Sequence, residues 1–339
     1  MRKGLYLFLT AIVVMIYYLH FWQPSKQSNP LPLDCYNANG ETLPDILDVE
    51  QPSEGSIYFI ETSCQSFVEG RIVITPRQAC AVESAALNNP DYRIYLMYTS
   101  PGLIRDNITL SDQLLHALIK FENVQVTHLN YKKLLKNTVV EELYTNSKIQ
   151  LSKFPINTSS NIARLLVLSK FGGVYLDLDM VIMKSLNGLV PNFAVAESDT
   201  SVNNAVLSIG VNGSGQEFIR LCLKELQDHF SGDEWGLNGP AVVTKVLKKM
   251  CGTESIPDMY NKNCSGFTVY PPEEFYPIPY QTWKWYFNSI NVNSLEKSHG
   301  IHVWNKLSKA AKSNSNKSIY SVIAKKHCPQ VYSIASEYF

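Results

Sequence analysis

The sequence predicts an α/β fold built on a mostly parallel, doubly wound sheet, set behind an N-terminal membrane helix. Two observations predict the sheet. Short apolar and aromatic runs recur at residues 56–61, 92–98 and 124–129, with helical sequence between them. That strand–helix–strand order favours parallel strands joined by crossover helices. A chain of 339 residues also has ample material for one large core or two small ones. The membrane helix rests on a third observation, an uncharged, mostly apolar run over residues 4–22.

That run is the first element in chain order. About 20 apolar residues span a bilayer as a helix, and its Tyr17, Tyr18, Phe21 and Trp22 suit the interface. No small-x-small cleavage site follows, so the run reads as a signal anchor rather than a cleaved signal. Arg2 and Lys3 precede it, which leaves residues 1–3 cytosolic and the remainder lumenal. Residues 23–55, rich in Pro, Asn, Ser and Asp, read as a stem. Residues 56–339 then read as the lumenal body. Glycosylation sequons at Asn107, Asn157, Asn212, Asn263 and Asn316 agree with a lumenal body. The seven cysteines match no zinc spacing and suit disulfides in an oxidising compartment. Seven is odd, and Cys35 in the stem is the candidate free thiol or interchain bridge, hence a homodimer through the stem.

Within the body, Ser56-Ile57-Tyr58-Phe59-Ile60-Glu61 reads as the first buried strand. The alanine-rich stretch 77–87 reads as a helix that Asn89-Pro90 ends. Strands over 92–98 and 124–129 follow. Residues 160–170 read as a helix capped by Ser159 or Ser160 and stopped by Gly172. Val174-Tyr175-Leu176 is a strand leading straight into Asp177-Leu178-Asp179. The carboxyl end of a strand is where open α/β sheets bind ligands.

Two carboxylates at i and i+2 on extended backbone point the same way, so Asp177 and Asp179 can address one hard cation. Such a cation neutralises charge developing on a departing diphosphate. A polar turn after a strand is the bland alternative, and the preceding buried aromatic strand and glycine pair weigh against it.

The stretch from Asn161 to Lys184 resembles the core motif of the glycosyltransferases that include lactosylceramide α-1,4-galactosyltransferase and α-1,4-N-acetylglucosaminyltransferase. Further matching stretches, in the same order, are 59–63, 81–85, 235–240, 272–279 and 302–306. The resemblance implies a GT-A fold with a smaller C-terminal acceptor-side region, a UDP-sugar donor, manganese, and a retaining α-1,4 transfer in the Golgi. It places the catalytic metal motif on Asp177 and Asp179 and a further metal ligand on His302. It places donor contacts on Thr62, Asn161, Arg164, Tyr175, Asp177, Asn203 and Trp304. Position 161 is Asn where most members carry Asp, which keeps an acceptor oxygen but removes a charge. Acceptor contacts fall on Trp235, Asn238 and Gly239. Cys251–Cys264 resembles a pair spaced alike in the family; Cys64–Cys80 would also close a short loop. Cys222–Cys328 remains if Cys35 is unpaired. Glu197, Asp199 and Asp233 remain as acids for a two-step retaining route.

The balance of 30 basic against 30 acidic residues gives no nucleic-acid footprint. No Ser-His-Asp order, Walker loop or nicotinamide fingerprint is present, which disfavours an anchored protease or sulfotransferase. The leading expectation is a UDP-galactose-dependent hexosyltransferase acting on a glycolipid. An N-acetylhexosaminyltransferase on glycolipid or glycoprotein is the alternative, and a silent Golgi sugar-binding or escort protein a reading of another class.

Overall fold

The computed structural model describes residues 33–49, 52, 55–106, 108–288, 295–313 and 317–335. The expected cytosolic tail 1–3, the anchor 4–22, and the sequons at Asn107 and Asn316 lie outside the described residues. Among the described residues no helix is long and apolar enough to cross a membrane.

Strand β1 (Ser56–Glu61) leads to helix α1 (Pro76–Asn88), β2 (Arg93–Tyr98), α2 (Leu110–Leu118) and β3 (Val124–His128). Helix α3 (Pro155–Phe171) then feeds β4 (Gly173–Leu176) and β5 (Met180–Ile182). The hairpin β6 (Phe193–Ser198) and β7 (Ser201–Ile209) precedes α4 (Ser214–His229) and α5 (Pro240–Cys251). Short strands β8 (Asn263–Cys264), β9 (Phe267–Tyr270) and β10 (Gly300–His302), then α6 (Ile319–His327) and α7 (Pro329–Ala335), complete the chain.

Eight strands form one sheet in the order β3-β2-β1-β4-β7-β6-β9-β8. The half β3-β2-β1-β4 is parallel throughout. Strand β7 then runs antiparallel to both β4 and β6, while β9 is parallel to β6. The expected mostly parallel α/β sheet is therefore met, as a mixed sheet. Side-chain alternation sorts each strand between two cores. Ile57 and Phe59 face a core shared with α1, α2, α6 and α7, while Tyr58 and Ile60 face one shared with α3, α4 and α5.

Local chemistry sets the element ends. Thr75 and Gln78 form a reciprocal cap on α1, and Thr109 and Asp112 do the same on α2. Helix α3 starts at Pro155 rather than near Ser160, because proline suits the first helical turn, where its missing N–H would be unpaired anyway. It ends at Gly172, φ 66°. Gly173 (φ 86°) follows, where a Cβ would lie 2.6 Å from the Ser56 carbonyl oxygen. Only glycine lets β4 enter flush beside β1.

The stem boundary needs correction. Leu33, Cys35, Tyr36 and Ile46 are buried in the core beneath α3. Ile46 N donates to His128 O at 2.9 Å and His128 N to Pro44 O at 3.0 Å, so residues 44–46 cover the outer edge of β3. The folded body thus reaches back at least to Leu33, into the stretch expected to be stem.

Disulfides join Cys35–Cys64, Cys80–Cys328 and Cys251–Cys264, with Cys222 free and buried. The Cys251–Cys264 expectation holds, and the Cys64–Cys80 and Cys222–Cys328 expectations do not. The sheet is the reason: Cys80 and Cys328 belong to the α1–α7 core, whereas Cys35, Cys64 and Cys222 belong to the opposite one. With Cys35 bonded within the chain, it offers no thiol for the expected interchain bridge through the stem.

Candidate active site

Strand β4 ends where its partner β7 still runs on, and Asp177 N donates to Ala205 O at 2.9 Å. A tight turn follows, closed by Met180 N to Asp177 O at 2.9 Å, and β5 leaves in a new direction. Strand β10 pairs with β5 so that His302 stands opposite Met180. This small second sheet carries the late histidine to the acidic turn. Asp177, Asp179 and His302 each offer one ligand atom, and these atoms all lie within 4.8 Å of one another.

Each carboxylate has one oxygen held by the protein and the other aimed at His302. Asp177 Oδ1 accepts from the Tyr175 hydroxyl at 2.7 Å and meets an Arg164 guanidinium nitrogen at 3.0 Å. Its Oδ2 lies 3.9 Å from His302 Nε2. Asp179 Oδ2 accepts from the Asn305 amide at 2.6 Å, and its Oδ1 lies 3.1 Å from His302 Nε2. Both ring nitrogens of His302 are buried without a well-formed hydrogen bond. A buried imidazole with no well-formed hydrogen bond, beside two converging carboxylate oxygens, is a donor set that fits a divalent cation such as manganese. Burial alone would discharge both groups. Burial pushes the Asp179 carboxyl up, but the His302 charge and the Asn305 amide outweigh it and hold it below its ordinary value. Burial likewise lowers His302, and the negative charges of Asp179, Asp177 and Glu197 overcome that and raise it.

Arg164 is buried, with its guanidinium 4.4 Å above the Tyr175 ring. It donates to Asn204 O at 2.8 Å and to Ser160 Oγ at 2.8 Å. Arg164 is thus a held, interior side chain and not a surface arginine on the helix. Asn161 is also buried; its Oδ1 accepts from Asn204 Nδ2 at 2.9 Å. The oxygen used is the one an Asp would share, so the departure at 161 preserves this contact. A Cβ on Gly239 would lie 2.8 Å from the Asn161 amide group, so glycine there lets the acceptor-side loop pack directly on α3.

These groups line an open cleft of about 1720 Å³, together with Thr62, Tyr175, Glu197, Asn203, Trp235 and Trp304. Trp304 stands edge-on to the His302 ring at 4.3 Å and donates its Nε1 hydrogen to Ile278 O at 2.9 Å, so it braces the histidine. Asn203 Nδ2 donates to Glu197 Oε2, and its Oδ1 accepts from Ala205 N at 2.9 Å. Burial pushes the Glu197 carboxyl up. Of the other two acids noted from sequence, Asp199 accepts from the Tyr260 hydroxyl at 3.1 Å and Asp233 pairs with Lys153 at 3.3 Å.

Three expectations shift. Asn238 is buried outside the cleft lining, with its amide bonded to Ser231 N and Ser231 O, so it shapes its own loop rather than lining the cleft. Gly239 acts through its packing on Asn161. Asn157 lies in the first turn of α3 and lines the cleft, where a glycan would fill the mouth; Asn212 and Asn263 are exposed and suit modification. Sequence reasoning missed Ser160, Asn204 and Asn305 as the partners that hold Arg164 and Asp179. Asn305 stood inside a matching stretch, but a backbone amide carries no residue signature.

Comparison with known proteins agrees with this geometry. The family description "Alpha 1,4-glycosyltransferase conserved region" matches residues 211–335, and "Glycosyltransferase sugar-binding region containing DXD motif" matches residues 75–196. The lactosylceramide 4-alpha-galactosyltransferase of Homo sapiens is 29% identical over 96% of this chain and 90% of its own length. That of Pongo pygmaeus is 32% identical over 64% of this chain and 100% of its own length. The alpha-1,4-N-acetylglucosaminyltransferase of Homo sapiens is 25% identical over 75% of this chain and 74% of its own length. With the acidic turn, the late histidine and the buried arginine assembled in one cleft, this chain belongs to the family of α-1,4-glycosyltransferases that contains those enzymes.

Proposed function

We propose that this protein transfers a hexose, with galactose favoured, from a UDP-sugar to a glycolipid acceptor such as lactosylceramide. The transfer retains the anomeric configuration and makes an α-1,4 linkage. It takes place in the Golgi lumen, on a GT-A body held by a single-pass type II anchor. The observation that carries this reading is the convergence of one oxygen each from Asp177 and Asp179 on the buried imidazole of His302. Those three residues would hold manganese, which when bound neutralises charge developing on the leaving diphosphate.

The remaining work falls to the protein's own groups. Tyr175, Arg164 and the Asn305 amide fix the two carboxylates in place before any ligand arrives, so no reorganisation is needed during reaction. Thr62, Asn161 and Asn203 line the donor side, and Trp235 presents an indole face at the cleft mouth for the acceptor. The acceptor hydroxyl attacks the anomeric carbon on the face from which UDP departs. The C1–O bond breaks with its electron pair leaving on UDP, and the acceptor proton passes to the departing phosphate oxygen. A two-step route would use Glu197, the one acid of those noted from sequence that lines the cleft, where it is half-buried.

Transfer of N-acetylhexosamine is the second reading, supported by the likeness to an alpha-1,4-N-acetylglucosaminyltransferase. Against the silent-protein reading, Asn161 lacks the charge of an Asp but keeps the oxygen that accepts from Asn204. A donor screen of the purified chain with UDP-galactose, UDP-N-acetylgalactosamine, UDP-glucose and UDP-N-acetylglucosamine, in manganese, separates these readings. UDP-galactose is expected to turn over fastest, and NMR of the product should show an α anomeric proton. A β linkage, or no turnover of any of the four, contradicts the proposal.

A further inference from the structure

The rim of the cleft carries a feature that donor and metal chemistry leave unused. Tyr280, Trp285 and Leu307 are 45%, 58% and 47% exposed. They lie on two segments, 280–288 and 305–312, that Arg77 pins side by side from beneath. Its guanidinium sits 4.6 Å over the Phe287 ring and donates to Ser308 O at 2.8 Å. Tyr280 meets the Trp304 ring at 6.0 Å, and Lys306 lies 4.4 Å over exposed Trp235 across the mouth. The aromatic rim is therefore continuous with the opening of the cleft.

Its charge is one-sided. The whole chain is neutral, yet between Phe275 and Ala335 the sequence holds eight lysines and a single acidic residue, Glu296. Lys284, Lys306, Lys309 and Lys312 are exposed along the two rim segments. Elsewhere Lys133, Lys153, Lys224, Lys245 and Lys248 each pair with a carboxylate. Among the described residues, no ion pair is formed by the four rim lysines.

We propose that this rim is a docking face for an anionic lipid surface, the leaflet in which the acceptor lipid resides. Trp and Tyr partition to the headgroup level, and lysines beside them are drawn to anionic headgroups. A second copy of the chain fits less well, because a two-fold contact would set the same lysines against one another. The docking itself rests on exposure and charge; only the identity of the leaflet rests on the glycolipid reading.

The test uses the full chain reconstituted in vesicles of phosphatidylcholine, with and without phosphatidylserine. Wild type is compared with Trp285→Ser and with the combined Trp285→Ser, Lys309→Glu, Lys312→Glu variant. One readout is quenching of tryptophan emission by brominated-chain lipid, where the difference between wild type and Trp285→Ser isolates that ring. The other is transfer to a glycolipid in the same bilayer relative to transfer to a soluble oligosaccharide. The Trp285 quenching difference should appear with phosphatidylserine and weaken at high salt. The combined variant should lower the bilayer-to-soluble ratio about five- to tenfold while soluble transfer holds. If that variant unfolds earlier than wild type, Lys309→Glu alone is compared. An unquenched Trp285 with an unchanged ratio overturns the proposal. So does a dimer in detergent that Trp285→Ser dissolves without quenching in vesicles, which would assign the face to a second copy. Quenching in a chain that transfers to neither acceptor supports docking and counts against the glycosyltransferase reading alone.

Discussion

Arg164 makes four polar contacts with one guanidinium: the Asp177 carboxylate, the Asn204 carbonyl, and the carbonyl and side chain of Ser160, with Tyr175 stacked beneath. Lysine has the charge but is a single point donor, and cannot span those partners or stack in the same way. Arg164→Lys should therefore lower kcat/KM by about 10- to 100-fold while the chain stays folded, since the lost contacts act on Asp177, a carboxylate of the proposed metal site. Steady-state kinetics with thermal unfolding checks it; near-wild-type turnover would show that Asp177 needs no such support. At this scale much of the site was legible. Asp177, Asp179, Arg164 and His302 have side-chain chemistry that a sequence displays. The partners that hold them are backbone amides and carbonyls, such as the Asn204 carbonyl that Arg164 reaches across 40 positions of sequence. Asn238 misled for the converse reason: its neighbours line the cleft, but its own amide is turned into its loop.

Elements were read best where the pattern is local. Alternation within β1 and β2 and the glycine pair before β4 give strand and turn directly. The start of α3 and the disulfide partners were read less well, because pairing depends on which face of the sheet each cysteine occupies. Cys80–Cys328 is the clearest case, tying α1 to the start of α7 across a separation of 248 residues. The same helix pair is joined by Glu83, which accepts from Gln330 N at 2.9 Å and Val331 N at 2.7 Å. Closing so long a loop contributes roughly 5 kcal/mol in the chain-entropy model, and measured values are commonly about 2–4 kcal/mol. Cys80→Ser with Cys328→Ser should lower unfolding free energy by an amount in that range. Denaturant titration would read it, and an unchanged midpoint would mean the α1–α7 packing needs no covalent tie.

At the scale of the whole molecule, the sequence placed the body too far along the chain. Residues 33–49 look like stem because their apolar residues follow no helical or strand period and are broken up by Asn, Asp, Gly and Pro, yet Leu33, Tyr36 and Ile46 reach into the core. Each buried apolar side chain is worth roughly 1.5–3 kcal/mol, and Tyr36 also donates its hydroxyl hydrogen to Thr62 O at 2.6 Å. A chain beginning at residue 51 loses all of this and the Cys35–Cys64 bond. It should therefore be several kcal/mol less stable than one beginning at residue 31, or insoluble, as expression and thermal unfolding would show. Equal stability would restore the stem reading.

The central claim is that Asp177, Asp179 and His302 form a metal site on which sugar transfer depends. It is tested most directly by UDP release from UDP-galactose, with acceptor present, in the metal-stripped protein titrated with manganese. The account predicts negligible release without metal and saturable recovery with it. It also predicts a loss of at least about 100-fold in Asp179→Asn at every manganese concentration, with folding intact. Full activity after metal removal, or an Asp179→Asn protein as active as wild type, would contradict it.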